Sequence, residues 1–200
     1  MLEKQHLYKT GIIGNCAFIA HVNENTDISW LCFPRFDSSF VFGSLLDKEK
    51  GGEFSIRPNG EYTSHQSYVE NTNVLQTEIT AADGKYRITD FAPRFRLHER
   101  YFKPLMLIRK IEPLEGNPRV TIRCAPVCDY GKGKMRANRG SNHIHFKGCD
   151  EHMQLSTNVS LNYILDEKAF VLNETKYLIL TYGYNLEAPI LSTAENFLRE

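Results

Sequence analysis

The sequence predicts an all-β fold of antiparallel strands, closed into a sandwich or barrel. Three observations carry that expectation. Short runs rich in β-branched and aromatic residues recur along most of the 200 residues. Polar turn clusters separate them at short intervals, and only two segments read as helix.

Taken in order, AFIAHV (17–22) and ISWLCF (28–33) flank the polar turn NENTD and predict a hairpin. NVLQTEIT (73–80) and KYRITDF (85–91) predict a second, joined at Asp83-Gly84, a dipeptide suited to the positive φ angles of tight hairpin turns. LMLIRKIEPL (105–114) and RVTIRCAPV (119–127) repeat the pattern around Glu115-Gly116-Asn117. HIHFKG, MQLSTNVSL, KAFVLN and KYLILTYGY carry it to Tyr184. The first break is SSFVFGSLLDKEKGG (38–52), which predicts one short helix over about 38–47: a polar cap, apolar bulk and a glycine stop. The second is Ser192-Thr193-Ala194-Glu195, a capping box with Ser at the N-cap and Glu three positions on. Ala194, Phe197 and Leu198 follow at helical spacing. Because isolated helices below about 12–15 residues are marginal in water, this start implies a linker helix cut short. One domain is expected over 1–190, with 191–200 opening the linker.

Composition excludes several function classes. Hydrophobic residues make up 42% and charged residues 24%, ordinary for a soluble globular chain. Lys plus Arg equals Asp plus Glu at 24 each, so no global field steers nucleic acid or an anionic membrane. No apolar run approaches the roughly 18 residues of a membrane span. The charged opening MLEKQHLYKT carries no targeting signal. The five cysteines, Cys16, Cys32, Cys124, Cys128 and Cys149, are odd in number and scattered among strands. That pattern predicts reduced, buried thiols and a cytoplasmic protein.

Motif chemistry does not announce an enzyme. His143 and His145 share a strand face, with Cys149 and His152 beyond them, but the spacing fits no zinc signature and predicts no metal. GKGKMRANRG (131–140) lacks the preceding strand and following helix of a phosphate loop, so a solvated hairpin tip is expected, or a loop reaching toward a neighbouring domain. Neither G-x-S-x-G nor H-E-x-x-H occurs, and nothing calls for a cofactor.

The stretch SWLCFPRFDSS (29–39) holds the candidate site residues Trp30, Pro34, Arg35, Phe36 and Asp37. Trp30 and Phe33 are expected to fill the sandwich, Pro34 to end the strand, and Arg35 and Asp37 to pair bidentately at a corner. Three uses stand open: contact with a neighbouring domain, a local corner with no partner, or direct contact with sugar.

The order of segments resembles the opening of prokaryotic glycoside hydrolase family 15, the glucoamylase- and trehalase-like group. Ile13-Gly14-Asn15, the hairpin and Trp30-Leu31-Cys32-x-Pro34-Arg35-Phe36-Asp37-Ser38 carry the first block. Asn71 to Leu75, Asp83-Gly84 and Thr89-Asp90-Phe91-x-Pro93-Arg94 carry the second. Arg109, Leu114-Glu115-Gly116 and Asp129-Tyr130-Gly131 carry the third. The resemblance implies a β-supersandwich of two large sheets preceding a catalytic (α/α)6 barrel. In the family two barrel glutamates act as general acid and general base of an inverting mechanism, with carboxyls about 6.5–9.5 Å apart. It implies a non-catalytic accessory domain of an α-glucosidase, with that barrel as partner and α-glucan or trehalose as ligand. No catalytic residue transfers to this chain, which is expected to be inert alone. A free-standing carbohydrate-binding module is the alternative, using a row of tyrosines (Tyr62, Tyr68, Tyr86, Tyr163, Tyr177, Tyr182, Tyr184); a third is an interaction domain that oligomerises through its sheet.

Overall fold

The computed structural model describes residues 9–148, 152–183 and 190–200. Strands β1 (Thr10–Gly14), β2 (Ile19–Asn23), β3 (Ile28–Cys32) and β4 (Phe40–Phe42) form a four-stranded antiparallel sheet in sequence order. After β5 (Glu53–Pro58) come β6 (Tyr62–Tyr68), β7 (Leu75–Ala81) and β8 (Gly84–Phe91), then a small separate hairpin, β9 (Phe95–Leu97) and β10 (Arg100–Phe102). The chain continues through β11 (Met106–Gly116), β12 (Arg119–Ala125), β13 (Val127–Cys128) and β14 (Gly133–Lys134). β15 (Arg136–Arg139), β16 (His143–Lys147), β17 (Met153–Thr157), α1 (Leu161–Leu165), β18 (Phe170–Val171), β19 (Lys176–Tyr182) and α2 (Ile190–Arg199) complete it.

The all-β expectation is met by one large sheet, of eight strands in the order β15-β16-β17-β19-β11-β8-β7-β6. The facing layer is divided into the four-stranded sheet and a three-stranded sheet, β18-β12-β5. One core joins the layers, with Ile13, Phe42, Ile56, Ile88, Leu107 and Leu180 all buried in it. Alternation explains the arrangement: Leu75, Thr77 and Ile79 of β7 point inward, while Glu78 points out to Arg87 of β8 and to Lys85. β11 and β19 instead bury both faces. Leu107 and Leu178 enter the main core, whereas Met106, Ile108 and Ile179 face a second cluster roofed by Ala194, Phe197 and Leu198 of α2. This is why LMLI and YLIL read as continuous apolar runs rather than alternating ones.

Four expectations are corrected. Residues 38–47 contain no helix; Phe40-Val41-Phe42 is the strand β4, with all three side chains buried. Two tight turns follow it, with Leu45 and Leu46 pointing to solvent and the Asp47 carboxylate accepting the Glu49 and Lys50 amides at 2.8 and 3.0 Å. The aromatic and β-branched trio pairs better as strand than it propagates as helix. Second, β11 and β12 are not hairpin partners. At Gly116 (φ 70°) the chain crosses from the large sheet to the three-stranded one, and Asp83 anchors the crossing through the Asn117 and Arg119 amides. Third, the C-terminal helix starts at Ile190, so Ser192 is not its N-cap, and Glu195 reaches the sheet instead of the backbone. Fourth, part of the 131–140 tip is the edge strand β15, paired to β16, where Arg139 donates to Asn162 at 2.8 Å.

Buried inside is an ion pair between two residues of the recognised blocks. Arg109 lies opposite Asp90 in the β11–β8 register, both with fully buried side chains. Its Nε donates to Asp90 Oδ1 at 2.8 Å, and its terminal nitrogens donate to the carbonyls of Phe54 (2.9 Å) and Thr26 (2.5 Å). Phe54 is in β5 and Thr26 in the β2–β3 turn, so a single guanidinium ties the large sheet to both parts of the opposite layer. Burial pushes the Asp90 carboxyl upward and the guanidinium opposes it. With both oxygens accepting, the pair is held as ions.

Candidate functional site

One end of the sandwich brings the Asn15 turn, the Pro93-Arg94 segment and the 33–38 corner together. In the β1–β2 turn, Asn15 is buried and its Nδ2 donates to the carbonyls of Pro93 (3.1 Å) and Pro104 (2.7 Å), while Oδ1 accepts the Ala17 amide at 3.0 Å. A primary amide has two donors and a two-lone-pair acceptor, which is what such a clamp needs. It therefore pins both ends of the β9–β10 hairpin. Phe18 packs edge-on against Phe33 at 4.9 Å, Phe33 against Tyr182 at 5.5 Å, and the Tyr182 amide donates to Leu105 at 3.0 Å.

The 33–38 corner sits at this end. Phe33 fills the core, as expected, and the Phe33–Pro34 bond is cis. The Arg35 amide donates to Ser38 Oγ at 3.3 Å and the Ser38 amide to the Arg35 carbonyl at 3.1 Å, closing the turn. Arg35 and Asp37 pair bidentately at 2.9 and 3.0 Å, yet their side chains are 75% and 70% exposed. Phe36 between them is 53% exposed. Trp30 does not fill the sandwich; it lies on the outer face of β3 with Cys32, Phe40 and Val127, its ring 5.6 Å from Phe40. The reason is strand parity: Ile28 and Leu31 already take the inward positions of a bulged strand.

Beside the corner lies a cleft of about 610 Å3 lined by Pro34, Ser38, Ser39, Asp129, Gly133 and Tyr182, among others. Its wall is a turn in which Asp129 (φ 46°), Tyr130 (φ 54°) and Gly131 (φ 82°) are all left-handed. Such a backbone costs side-chain-bearing residues roughly 1–2 kcal/mol each. Ser39 Oγ holds it by accepting the Tyr130 amide at 2.7 Å, and Tyr130 packs on Phe40 at 6.1 Å. The first and third recognised blocks thus meet in space. Asp129 is the only carboxylate among the described lining residues. A second cleft, of about 660 Å3, holds Asp27 and Glu53, but Arg57 bridges both at 3.1 and 2.9 Å.

Other sequence candidates disperse. His143 and His145 stack at 4.3 Å, but no three potential metal ligands converge among the described residues. The His145 ring titrates low, first through burial and then through neighbouring cations. Cys149 and Tyr184 lie outside the described residues. The tyrosines form no exposed row among the described residues: Tyr86 and Tyr177 are buried, and Tyr68 caps β1 by bonding both backbone groups of Ile12. The thiol expectation is corrected too. Cys16 is exposed and Cys128 is disulfide-bonded, while Cys32 and Cys124 are free.

The sequence reading missed the β9–β10 hairpin altogether. Its turn, Leu97-His98-Glu99-Arg100, offers no Gly or Asn signal, and His98 takes φ 54°. It also missed the contact between 39 and 130. Serines 38 and 39 beside an isolated Asp-Tyr-Gly were the available signal.

No helix among the described residues is long and apolar enough to cross a membrane. The family model for the trehalase-like N-terminal domain matches residues 3–171. A trehalase from Thermoplasma volcanium is 34% identical over 155 residues, 76% of this chain and 24% of that protein. One from Thermoplasma acidophilum is 31% identical over 167 residues, 80% of this chain and 28% of that protein. Trehalase 1 of Sulfolobus acidocaldarius is 49% identical over 84 residues, 42% of this chain and 14% of that protein. The chain therefore spans about a quarter of the length of the two Thermoplasma trehalases. No solved structure matches it. A match across most of these 200 residues places the chain in the trehalase-like N-terminal domain family.

Proposed function

We propose that this chain is the non-catalytic accessory domain of a trehalase-like enzyme of glycoside hydrolase family 15. Its partner is a catalytic (α/α)6 barrel that hydrolyses an α-glucosidic bond with inversion. The observation that carries the reading is the family match together with its partial coverage: the matched stretch is about a quarter of the length of the relatives named trehalase. The exposed corner supports it. An Arg–Asp pair that were only structural would gain little at 75% and 70% exposure, whereas Arg35, Phe36 and Asp37 together present the mixed polar and aromatic surface of an interface.

A carbohydrate-binding module is the second reading, favoured by the polar cleft around Asn23, Asn25, Asp27, Arg57 and Tyr62. Titration calorimetry of the isolated chain with trehalose and with malto-oligosaccharides separates the two. The accessory reading expects no heat beyond dilution with either sugar. Saturable millimolar binding, abolished by Arg57→Ala, would replace it with the module.

A further inference from the structure

Among the described residues the β9–β10 hairpin pairs only with itself and forms a sheet separate from the large one. One of its faces is committed. Phe95 and Phe102 lie opposite each other in register and both pack on Phe197 of α2, with ring centroids 5.0 to 5.5 Å apart. Strand alternation sends Arg96 and Tyr101, the next pair, to the other face. There the Arg94 guanidinium lies 4.6 Å from the centre of the Tyr101 ring, which remains 60% exposed. Between residues 94 and 103 the chain carries Arg94, Arg96, Arg100 and Lys103 against Glu99 alone, within a sequence whose total charge is zero.

We propose that this hairpin face is the principal docking surface for the catalytic part of the enzyme, and that the surface it meets is an acid-rimmed apolar recess receiving Tyr101. The proposal rests on the accessory-domain reading above. Three features single out this occupant. The excess of cations demands carboxylates opposite. A tyrosine held flat by a guanidinium is a preorganised anchor of the kind that dominates protein interfaces. The hairpin's other face packs on Phe197 of α2, and about three quarters of the length of the related trehalases lies outside the matched stretch. The clamp from Asn15 makes the platform rigid at its base, so little ordering entropy is lost on docking.

The test immobilises the purified chain and measures capture of the Thermoplasma volcanium trehalase residues that lie outside the matched stretch, prepared separately and shown by circular dichroism to be folded. Capture by the wild type is expected. Arg94→Glu with Arg96→Glu should weaken it at least about tenfold, and Tyr101→Ala about thirtyfold, with unchanged thermal melting of each variant. Arg119→Glu, at the far end of the sandwich, should change nothing. Capture indifferent to the hairpin but lost with Arg35→Ala would overturn this proposal and leave the accessory reading intact. Failure of the wild type to capture would remove the accessory reading and this proposal together. Self-association of the chain, seen by light scattering and abolished by the hairpin variants, would assign the face to a second copy and overturn the proposal.

Discussion

Of the bidentate Arg–Asp pairs in this molecule, Arg109–Asp90 and Arg35–Asp37 differ in almost everything except chemistry. Arg109–Asp90 is wholly buried, spans three pieces of sheet and satisfies two backbone carbonyls besides. Arg35–Asp37 spans a single turn at the surface, two residues apart. A buried pair broken from one side costs about 3–5 kcal/mol, because the abandoned ion has nowhere to go. An exposed pair contributes about 0–1 kcal/mol, since water replaces either partner. The first pair is therefore accounted for by the fold. The second adds little to the fold, which suits it to the interface proposed above.

Substitutions can break or sharpen that contrast. The largest effect is expected from Arg109→Ala, which strands Asp90 and two carbonyls: a loss of about 3–5 kcal/mol in urea denaturation, with Arg109→Lys recovering only part because an ammonium cannot bridge the same acceptors. Asn15→Ala should come next, at about 1–3 kcal/mol, by leaving buried carbonyls unsatisfied. Its signature is local: amide exchange should accelerate over 93–104 while β8 and β11 stay protected.

Helix α2 offers a smaller effect with a pH dependence. Glu195 accepts from the Tyr177 hydroxyl and from Lys110 Nζ, and those two bonds, the hydroxyl's first, hold its carboxyl below the usual 4.5. A depressed carboxyl stabilises the folded state above its unfolded value, and that contribution disappears as pH falls through the lower folded value. Exchange of the α2 amides should thus speed up below about pH 4.5, and Glu195→Gln should flatten the profile at a cost of about 1 kcal/mol. Smallest of all, Arg35→Ala or Asp37→Ala should shift stability by less than about 1 kcal/mol. If either lowers it as much as Arg109→Ala, the corner is structural and the contrast collapses.

How much of this was legible in the sequence depended on whether the deciding contact was local. The β7–β8 hairpin was readable because Asp83-Gly84 and the alternation of 75–79 both lie within it. The corner was readable because cis Pro34, Ser38 and the Arg35–Asp37 pair close on themselves within a few residues. Residues 40–42 misled, since an apolar trio after a polar cap fits helix or strand until β3 arrives beside it. The β9–β10 hairpin was invisible because its aromatic spine is completed by Phe197, nearly a hundred residues on. Arg109 and Asp90 were both noticed, but their pairing is a property of register, not of spacing. The left-handed turn at Asp129–Tyr130 likewise needs Ser39 to hold it, and no local rule places the two together.

The central claim is that a domain with this architecture presents surfaces to a catalytic partner and performs no chemistry of its own. Glucose release from trehalose and from maltose, followed at high concentration of the purified chain, tests it most directly. The expected result is a rate indistinguishable from the buffer blank at every pH tried. Sustained release that scales with the amount of chain and is unaffected by further purification would contradict it.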